Sequence, residues 1–504
     1  MIVAVHVLGF GLLLLKLGRL SVADLPTRCA IVGSAGFAAL GFEMWGLGYL
    51  RAWYWQTLCW STVLLAMVCI ALIWPLRKSV AAVHPLRLRQ LLAALPSLLV
   101  RVPELQLALT ALAAATVMAA IISGLRPPLV CDELEYHWPA PLYWATNHHW
   151  VVSPYRLTNG PVLVELLYTI SALFGNFVAG HWISTAIWLV LLCACVGLGR
   201  LMTIPVLPVL VAVMACPTMT TEASMMLNDL GAALFIVVAF LTLLQLGKNQ
   251  QPYRTVLSAA FIFCGAISSK APYAVAAAPA MLAYLFCGGA VPKLGQRIKL
   301  ALTFIAPGLL VGGLWCLHTH GLTGNYSGLP VQTFATSRPL NADLQSLHNP
   351  TGMVSLPNLS TLLTLPILPF ITAIFGNQEP FGGRTGLMMC TGLPLLLWRM
   401  KKLQAAERHY IWWLIAASTL YYGEIGLLTP RTRYFYFTWA IWSTLAAAGF
   451  WLTYQATAGA KRMAVAAAFC ALATVGCADS IRTLLLYRPG TAEPVLMQLH
   501  WFQD

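Results

Sequence analysis

The stretch SMMLNDLGAALFIVVAFLTLLQL, residues 224–246, decides the fold class of this chain. After Asp229 it holds no charged residue, and its length is about the 20 residues that a helix needs to cross the hydrocarbon core of a bilayer. Similar apolar runs recur along nearly the whole sequence. Because backbone groups inside a bilayer must be hydrogen bonded within the protein, such runs predict an all-α polytopic membrane protein.

The composition excludes several other classes of protein. The 504 residues are 59% hydrophobic and only 9% charged, whereas soluble domains carry roughly 25% charged residues. This excludes a soluble globular enzyme, a disordered chain and a secreted disulfide scaffold. The net charge of +14 does not indicate nucleic-acid binding, because excess Lys and Arg in membrane proteins collect in cytoplasmic loops. The 13 cysteines are scattered, mostly within apolar runs, and predict no disulfide framework.

The spacing of the apolar runs predicts about 12–14 transmembrane spans, estimated from the length that a bilayer requires. The predicted spans are 1–17, 29–50, 52–75, 105–125, 179–199, 202–220, 224–246, 254–271, 273–290, 300–319, 385–400, 410–428, 434–456 and 463–484. This order places roughly 20 of the 30 basic residues on one side, as the positive-inside rule requires, and both termini outside. The first run lacks a basic n-region and is interpreted as a retained span.

Two long polar segments, 126–178 and 320–384, then lie on the outer face. Each contains an apolar stretch, 161–174 and 356–375, that is interpreted as an interfacial or re-entrant helix. We divide the chain into extra N-terminal spans with a cytoplasmic basic loop (1–104), a transmembrane core (105–456), and a last span with a short outer tail (457–504).

The first outer segment opens with PPLVCDELEYHWP, residues 127–139. Asp132, Glu133, Glu135 and His137 fall within six positions of one another, directly after a predicted span. Carboxylates next to hydrocarbon are costly, so they usually have a function. The alternative interpretation is helix capping, because Asp132 is a suitable N-cap with Glu135 at the third position.

Further charged residues lie near the outer ends of later spans. Asn228 and Asp229 open an apolar run, where helix capping is the alternative to function. Lys270 ends a span, where snorkelling to the interface is the alternative. Arg384 and Arg433 are candidates for binding an anion, because guanidinium groups bind phosphate in a bidentate manner.

Two histidine pairs have spacings that resemble metal ligands only weakly. They are His148 with His149, and His318 with His320. Neither pair has a matching set of carboxylates at fixed spacing, so we predict no metal site and no cofactor, and a divalent metal ion is the alternative that stays open.

The ordered set of motifs resembles the GT-C superfamily of membrane glycosyltransferases over about residues 105–456. Asp132, Tyr136, His137 and Pro139 resemble the first-loop signature of that family. The later signatures follow in the same order and are Asn228-Asp229, Lys270 with Tyr273, Thr323-Gly324-Asn325, Gly382-Gly383 and Arg433-Tyr434. The similarity is to the bacterial branch related to protein mannosyltransferases and to the enzyme that adds aminoarabinose to lipid A. Tyr326 departs from the family pattern, which has Pro after Gly-Asn.

The resemblance implies a GT-C-like helical bundle in the bacterial inner membrane, with its active site facing the periplasm. Such enzymes move a sugar from a polyprenyl-phosphate carrier to an acceptor hydroxyl with inversion. The acceptor stays open among a glycolipid, a polysaccharide and a protein, and no nucleic-acid partner is expected. The roles implied are general base for Asp132, with Glu133 as second choice; phosphate binding for Arg433, Lys270 and Arg384, in that order; and sugar or acceptor binding for Glu135, Tyr136, His137, Asn228 and Asp229.

Two other functions compete with this interpretation. A ligase or polymerase acting on polyprenyl-diphosphate glycans also uses outer-face arginines, but an acidic loop after a span is not expected there. A transporter favours ionisable residues at mid-membrane and symmetric repeats. Glu43, in the middle of a predicted span, is the residue that fits a transporter better.

Overall fold

A computed structural model gives the fold of the chain. It describes residues 1–18, 20, 22, 24–73, 103–128, 132–153, 158–249, 251–288, 293–324, 386–428 and 432–486. In these residues the secondary structure is helical and contains no β-strand. The predicted all-α class of the described chain is therefore confirmed.

The α-helices of the described residues are numbered here in chain order. They are α1 (Ile2–Gly18), α2 (Leu25–Tyr49), α3 (Trp55–Ile73), α4 (Pro103–Ser123), α5 (Pro139–Asn147), α6 (Leu163–Leu173), α7 (Phe177–Leu201), α8 (Val206–Met214), α9 (Pro217–Thr221), α10 (Asp229–Leu244), α11 (Pro252–Ser269), α12 (Ala271–Cys287), α13 (Leu294–Thr323), α14 (Leu387–Arg399), α15 (Ala405–Leu428), α16 (Tyr436–Gln455) and α17 (Gly459–Leu486). A π-helical turn spans Glu133–His137, and short 3-10 helices span Glu222–Ser224, Leu246–Lys248, Met400–Lys402 and Thr432–Phe435.

Within these residues, 6 helices are long and apolar enough to cross a membrane. They contain Leu25–Tyr49, Gln106–Ser123, Phe177–Leu201, Asp229–Lys248, Leu294–Thr323 and Gly459–Leu485. The remaining predicted spans fall on helices that are shorter or less apolar, such as α1, α3 and α12. The described chain thus has the all-α helices of a multi-pass membrane protein. The count of 12–14 spans stays a prediction.

The span predicted at 202–220 is not one straight helix, because the helix breaks between Met214 and Pro217. The axes of the segments Val206–Met214 and Pro217–Ser224 differ by 81°. Cys216 is extended (φ −100°, ψ 94°) and Pro217 begins the next helix. A proline disfavours the helical conformation of the residue before it, which explains the break.

Helix α10 forms the centre of the bundle. Within the Asp229–Lys248 segment, 94% of the most apolar stretch is buried. It packs against α7, α11, α2, α12 and α16. A helix that is apolar on all sides is expected to be surrounded by protein, and the stretch that predicts the fold class is accordingly its core.

The helices of the N-terminal region pack closely against the core region. Helix α2 contacts α6, α7 and α11 as well as α1. Where α1 and α2 cross, a Cβ atom added to Gly11 would lie 2.0 Å from the carbonyl oxygen of Val32, and one added to Gly36 would lie 2.0 Å from that of Val7. Small residues that let two backbones approach are typical of helix pairs in membranes.

We expect Gly36→Ala to destabilise the protein by about 1–3 kcal/mol, the usual cost of overpacking. The new methyl group has no flexible side chain to displace, because its nearest neighbour is the backbone of α1. Gly46→Ala on the same helix is the matched control, since a Cβ there meets nothing within 4 Å. Thermal unfolding of the detergent-solubilised variants measures both. Equal melting temperatures for the two variants would contradict the close crossing.

Helix α6 lies within the expected interfacial stretch 161–174, but it is not exposed on the outside of the bundle. Its residues from Leu163 to Ala172 are all buried, and it packs against α2, α5 and α7. The stretch thus forms a short helix covered by other helices, and its interfacial or re-entrant placement stays a prediction. The second stretch, 356–375, lies outside the described residues.

Candidate functional site

The acidic motif folds into the π-helical turn Glu133–His137 between α4 and α5. The amide of Trp138 donates to the carbonyl of Glu133 at 3.0 Å, which closes the wide turn. Glu133 and His137 point inward and are buried, while Glu135 is exposed and Asp132 is partly exposed. Asp132 precedes the turn but its side chain makes no capping hydrogen bond. Helix capping therefore does not describe the role of Asp132. The π-helical geometry is itself informative, because π-helical turns are frequent at functional sites.

Glu133 joins the acidic turn to two other parts of the bundle. Its Oε1 lies 3.1 Å from Nε2 of His181 on α7, and it accepts a hydrogen bond of 2.6 Å from the amide of Met226. The other ring nitrogen of His181 donates to the carbonyl of Gly124 at 3.1 Å. The side chains of Glu133 and His181 are 3% and 2% exposed, so this ion pair is shielded from solvent.

A second buried His–Glu pair lies beside the first. Nδ1 of His137 lies 2.9 Å from Oε1 of Glu165 on α6, with both side chains almost fully buried. The same oxygen accepts a 2.8 Å hydrogen bond from the amide of Asn228. The Asn228 side chain does not cap α10, so the capping alternative is not observed for this residue either.

Asp229 binds two donors from the junction of α11 and α12. Its Oδ1 accepts from Nζ of Lys270 and from the hydroxyl of Tyr273. Nζ of Lys270 also lies 4.6 Å from the centre of the Tyr434 ring and 4.9 Å from that of Tyr273, distances at which a cation is attracted by an aromatic face. The Lys270 side chain is 22% exposed. The Lys270 side chain is held by these groups, so it does not extend freely toward the membrane interface as a snorkelling lysine would.

The backbone that leads into Asp229 is fixed by side chains from four neighbouring elements. We call residues 223–229 the pinned segment. Thr185 donates to the carbonyl of Ala223, and Tyr168 donates to that of Leu227 at 2.7 Å. Ser123 bonds to Ser224, and Glu133 accepts from Met226. Irregular backbone among buried apolar helices requires such partners, because unsatisfied polar groups are costly there.

The pKa of Tyr168, on the short helix α6, is raised well above its ordinary value by burial. The hydroxyl therefore stays protonated and acts as the donor to Leu227 at neutral pH. This hydroxyl also contacts that of Ser184 at 2.8 Å. Tyr168 thus fixes the position immediately before Asn228.

An apolar cavity of about 410 Å³ opens between α11, α12 and α13. Its lining is almost entirely apolar and extends from Ala271 to Leu282 on α12, which corresponds to ~16 Å at the rise of an α-helix. Ile267 and Ala271, which flank Lys270 in the sequence, both line the cavity. We call this cavity the apolar groove. Lys270 therefore lies beside one end of a groove that suits an apolar chain.

The structure brings together many of the residues singled out from the sequence. Glu133, His137, Asn228, Asp229 and Lys270 all belong to the connected buried contacts described above. Asp132 adjoins them through Glu133, and the ring of Tyr136 packs at 4.2 Å from that of His137. Glu135 points outward from the same turn.

The arginine predictions are only partly covered by the described residues. Arg433 lies in the 3-10 helix Thr432–Phe435, next to Tyr434, but its side chain lies outside the described part of the chain. Arg384, Gly382-Gly383 and Asn325 lie outside it altogether.

Sequence reasoning missed Glu165, His181 and Tyr168. Glu165 could have been found, because it is the one carboxylate in the apolar stretch 161–174 and buried carboxylates are expensive. His181 carries no comparable signal. Its partner, Glu133, lies 48 residues away in the sequence.

Within the described residues, no group of three or more His, Cys, Asp or Glu side chains is arranged to hold a metal ion. His148 donates to the carbonyl of Trp53 at 2.7 Å and stacks on the ring of Tyr54. His318 contacts the hydroxyl of Tyr49 at 2.5 Å within a cluster of tryptophan rings. These contacts account for one member of each histidine pair without a metal.

No protein-family model matches the chain, and no curated protein is similar to it at a significant level. The function must therefore be argued from the site.

Proposed function

We propose that this protein is a membrane glycosyltransferase that moves a sugar from a polyprenyl-phosphate carrier to an acceptor hydroxyl. The observation that carries the proposal is the position of Lys270. Its ammonium group is fixed by Asp229, and Ala271, the next residue in the chain, lines one end of the apolar groove. An anionic head on a long apolar chain is the kind of ligand that needs both features at once.

The groove supplies the apolar half of this recognition. Gly308, Gly312 and Gly313 leave part of α13 without side chains, and the groove is also lined by Phe304 of α13 and Phe263 of α11. Its volume of about 410 Å³ lies within the range of roughly 300–1,000 Å³ that ligand sites occupy. An isoprenoid chain in this groove would place its phosphate near Lys270.

The reaction forms a bond between the acceptor oxygen and the anomeric carbon and breaks the bond from that carbon to the phosphate oxygen. Polyprenyl phosphate leaves, and the hydroxyl proton goes to a general base on the opposite face of the sugar. Lys270 stabilises the leaving phosphate through its positive charge. We assign the base to Asp132, which is partly exposed, since the neighbouring Glu133 is buried and is held by the Met226 amide and the His181 ring.

Arg433 is the second phosphate ligand in this proposal. The short helix Thr432–Phe435 places it directly before Tyr434, whose ring contacts Lys270. Arg384 is the third candidate. Glu135 and Tyr136, at the outward side of the acidic turn, are assigned to the sugar or the acceptor. The proposed setting is the outer face of a bacterial inner membrane.

We expect Arg433→Ala to weaken donor binding by at least about 1.5 kcal/mol, the low end for a hydrogen bond to a charged group. Arg433→Lys should also be impaired, because an ammonium group lacks the planar guanidinium fork. Arg431→Ala is the matched control and should have a small effect. Binding of a polyprenyl-phosphate sugar to each variant measures this. Wild-type affinity in Arg433→Ala would remove Arg433 from the site.

The proposed function is tested with purified protein, a set of polyprenyl-phosphate sugars and candidate acceptors of the three classes. We expect release of polyprenyl phosphate that depends on an acceptor. Release of polyprenyl diphosphate from diphosphate-linked glycans would support the ligase or polymerase instead. Transport of an intact solute by reconstituted protein, without release of either lipid, would contradict both enzymatic assignments.

A further inference from the structure

Glu133 occupies a position from which it can set the geometry of the reaction without touching the substrate. It follows Asp132 in the sequence and binds the amide of Met226 in the pinned segment. Three residues after Met226, Asp229 holds Lys270. One carboxylate therefore links the loop that carries the proposed base to the segment that carries the proposed phosphate ligand.

The hydrogen bonds around His181 hold this link in place. The carbonyl of Gly124 can only accept, so Nδ1 of His181 carries a proton. Nε2 of His181 lies 3.1 Å from Oε1 of Glu133, and the same oxygen accepts the Met226 amide. The Glu133 carboxyl group is therefore held between the His181 ring and the backbone of the pinned segment.

We propose that Glu133 is a positioning residue. Held by His181, it fixes the separation between Asp132 and Lys270. This inference rests on the proposed function. In a transfer with inversion, the base and the phosphate ligand act on opposite faces of the anomeric carbon. Their separation must match the length of the reacting group, and displacement by about 1 Å can cost up to about a hundredfold in rate.

The test compares Glu133→Gln with Glu43→Gln. Among the described residues, Glu43 forms the His–Glu contact that does not touch the pinned segment; its side chain is 17% exposed, and its Oε2 lies 3.4 Å from Nε2 of His6. Both variants change a carboxyl group opposite a histidine into an amide, but only Glu133 touches Met226. Glu133→Asp is a second variant, because it keeps the carboxyl group and shortens the side chain.

Two readouts separate positioning from stability. The first is kcat together with the binding constant of a polyprenyl phosphate. In Glu133→Gln we expect kcat to fall about tenfold to a hundredfold and lipid affinity to stay within about twofold, because Lys270 keeps Asp229. The second is amide hydrogen exchange of peptide 222–230, which should quicken at Met226. Glu133→Asp should give an intermediate kcat, and Glu43→Gln should leave both readouts at wild-type values.

Unchanged kcat in Glu133→Gln, with an active wild type, would overturn the proposal. A fall in kcat with unchanged exchange at Met226 would also overturn it, because Glu133 would then act directly on the reaction. Absence of transfer by the wild-type protein is a different result. It would remove the proposed function, while the exchange data would still decide whether Glu133 holds the pinned segment.

Discussion

Asp132→Asn should lower the rate of sugar transfer by about a hundredfold or more, the scale of general-base catalysis. The amide keeps the shape of the side chain but cannot accept the proton of the acceptor hydroxyl. Expression and melting temperature should stay near wild type, since the side chain is partly exposed and does not cap the turn. Turnover of a polyprenyl-phosphate sugar at saturating donor measures the effect.

Glu407→Gln is a suitable control for the loss of one negative charge. Glu407 is on α15, where it accepts a hydrogen bond from Thr203. Its substitution should leave turnover unchanged. If Asp132→Asn turns over normally and Glu133→Gln does not, the general base is Glu133. If both variants are fully active, the acidic turn has no catalytic role.

The sequence predicted the fold class because bilayer insertion leaves a strong periodic and compositional signal. Among the candidate spans of the described residues, the helix in the run at 224–246 is the most apolar and the most buried. The break at Pro217 was missed although proline is visible in the sequence. A proline can kink or end one helix, or it can occupy the first turn of the next one. Which of these occurs depends on tertiary packing around the proline, which the sequence does not show.

The candidate site could be located from the sequence only as separate motifs. Asp132, Asn228 and Lys270 were singled out because polar residues are costly beside hydrocarbon. Their connections could not be derived, because they pass through Glu165, Tyr168 and other residues whose partners lie far away in the sequence. Helix capping, the local alternative, is not observed at Asn228 or Asp132. The Asn228 amide donates instead to Glu165, which is 63 residues away in the sequence.

The local signal was also ambiguous for helix α6. A mostly apolar helix of 11 residues beside a polar loop fits an interfacial helix or a buried one equally well by length and composition. Burial is decided by neighbouring helices. Glu165, the one acid of this helix, is bound by Asn228 and lies against His137, which a helix lying on the membrane surface would not require.

The largest effect on stability is expected for Lys270→Met. The substitution leaves the carboxylate of Asp229, 2% exposed, without its cation. Removing one partner of a buried ion pair costs about 3–5 kcal/mol. We expect about 3 kcal/mol, the low end, because Lys270 itself is 22% exposed and the Tyr273 hydroxyl still donates to Asp229. Unfolding of the detergent-solubilised protein measures this loss.

The double variant Asp229→Asn/Lys270→Met separates the stability of this pair from its function. With both charges removed, the melting temperature should return close to that of wild type, because no uncompensated charge stays buried. Phosphate binding should not return. Affinity for a polyprenyl phosphate should fall at least about tenfold, a change of about 1.4 kcal/mol, whereas affinity for the polyprenol of the same chain length should not change. If the double variant binds the phosphate as tightly as wild type, Lys270 serves only to neutralise Asp229, and the groove must be assigned to a lipid without a phosphate head.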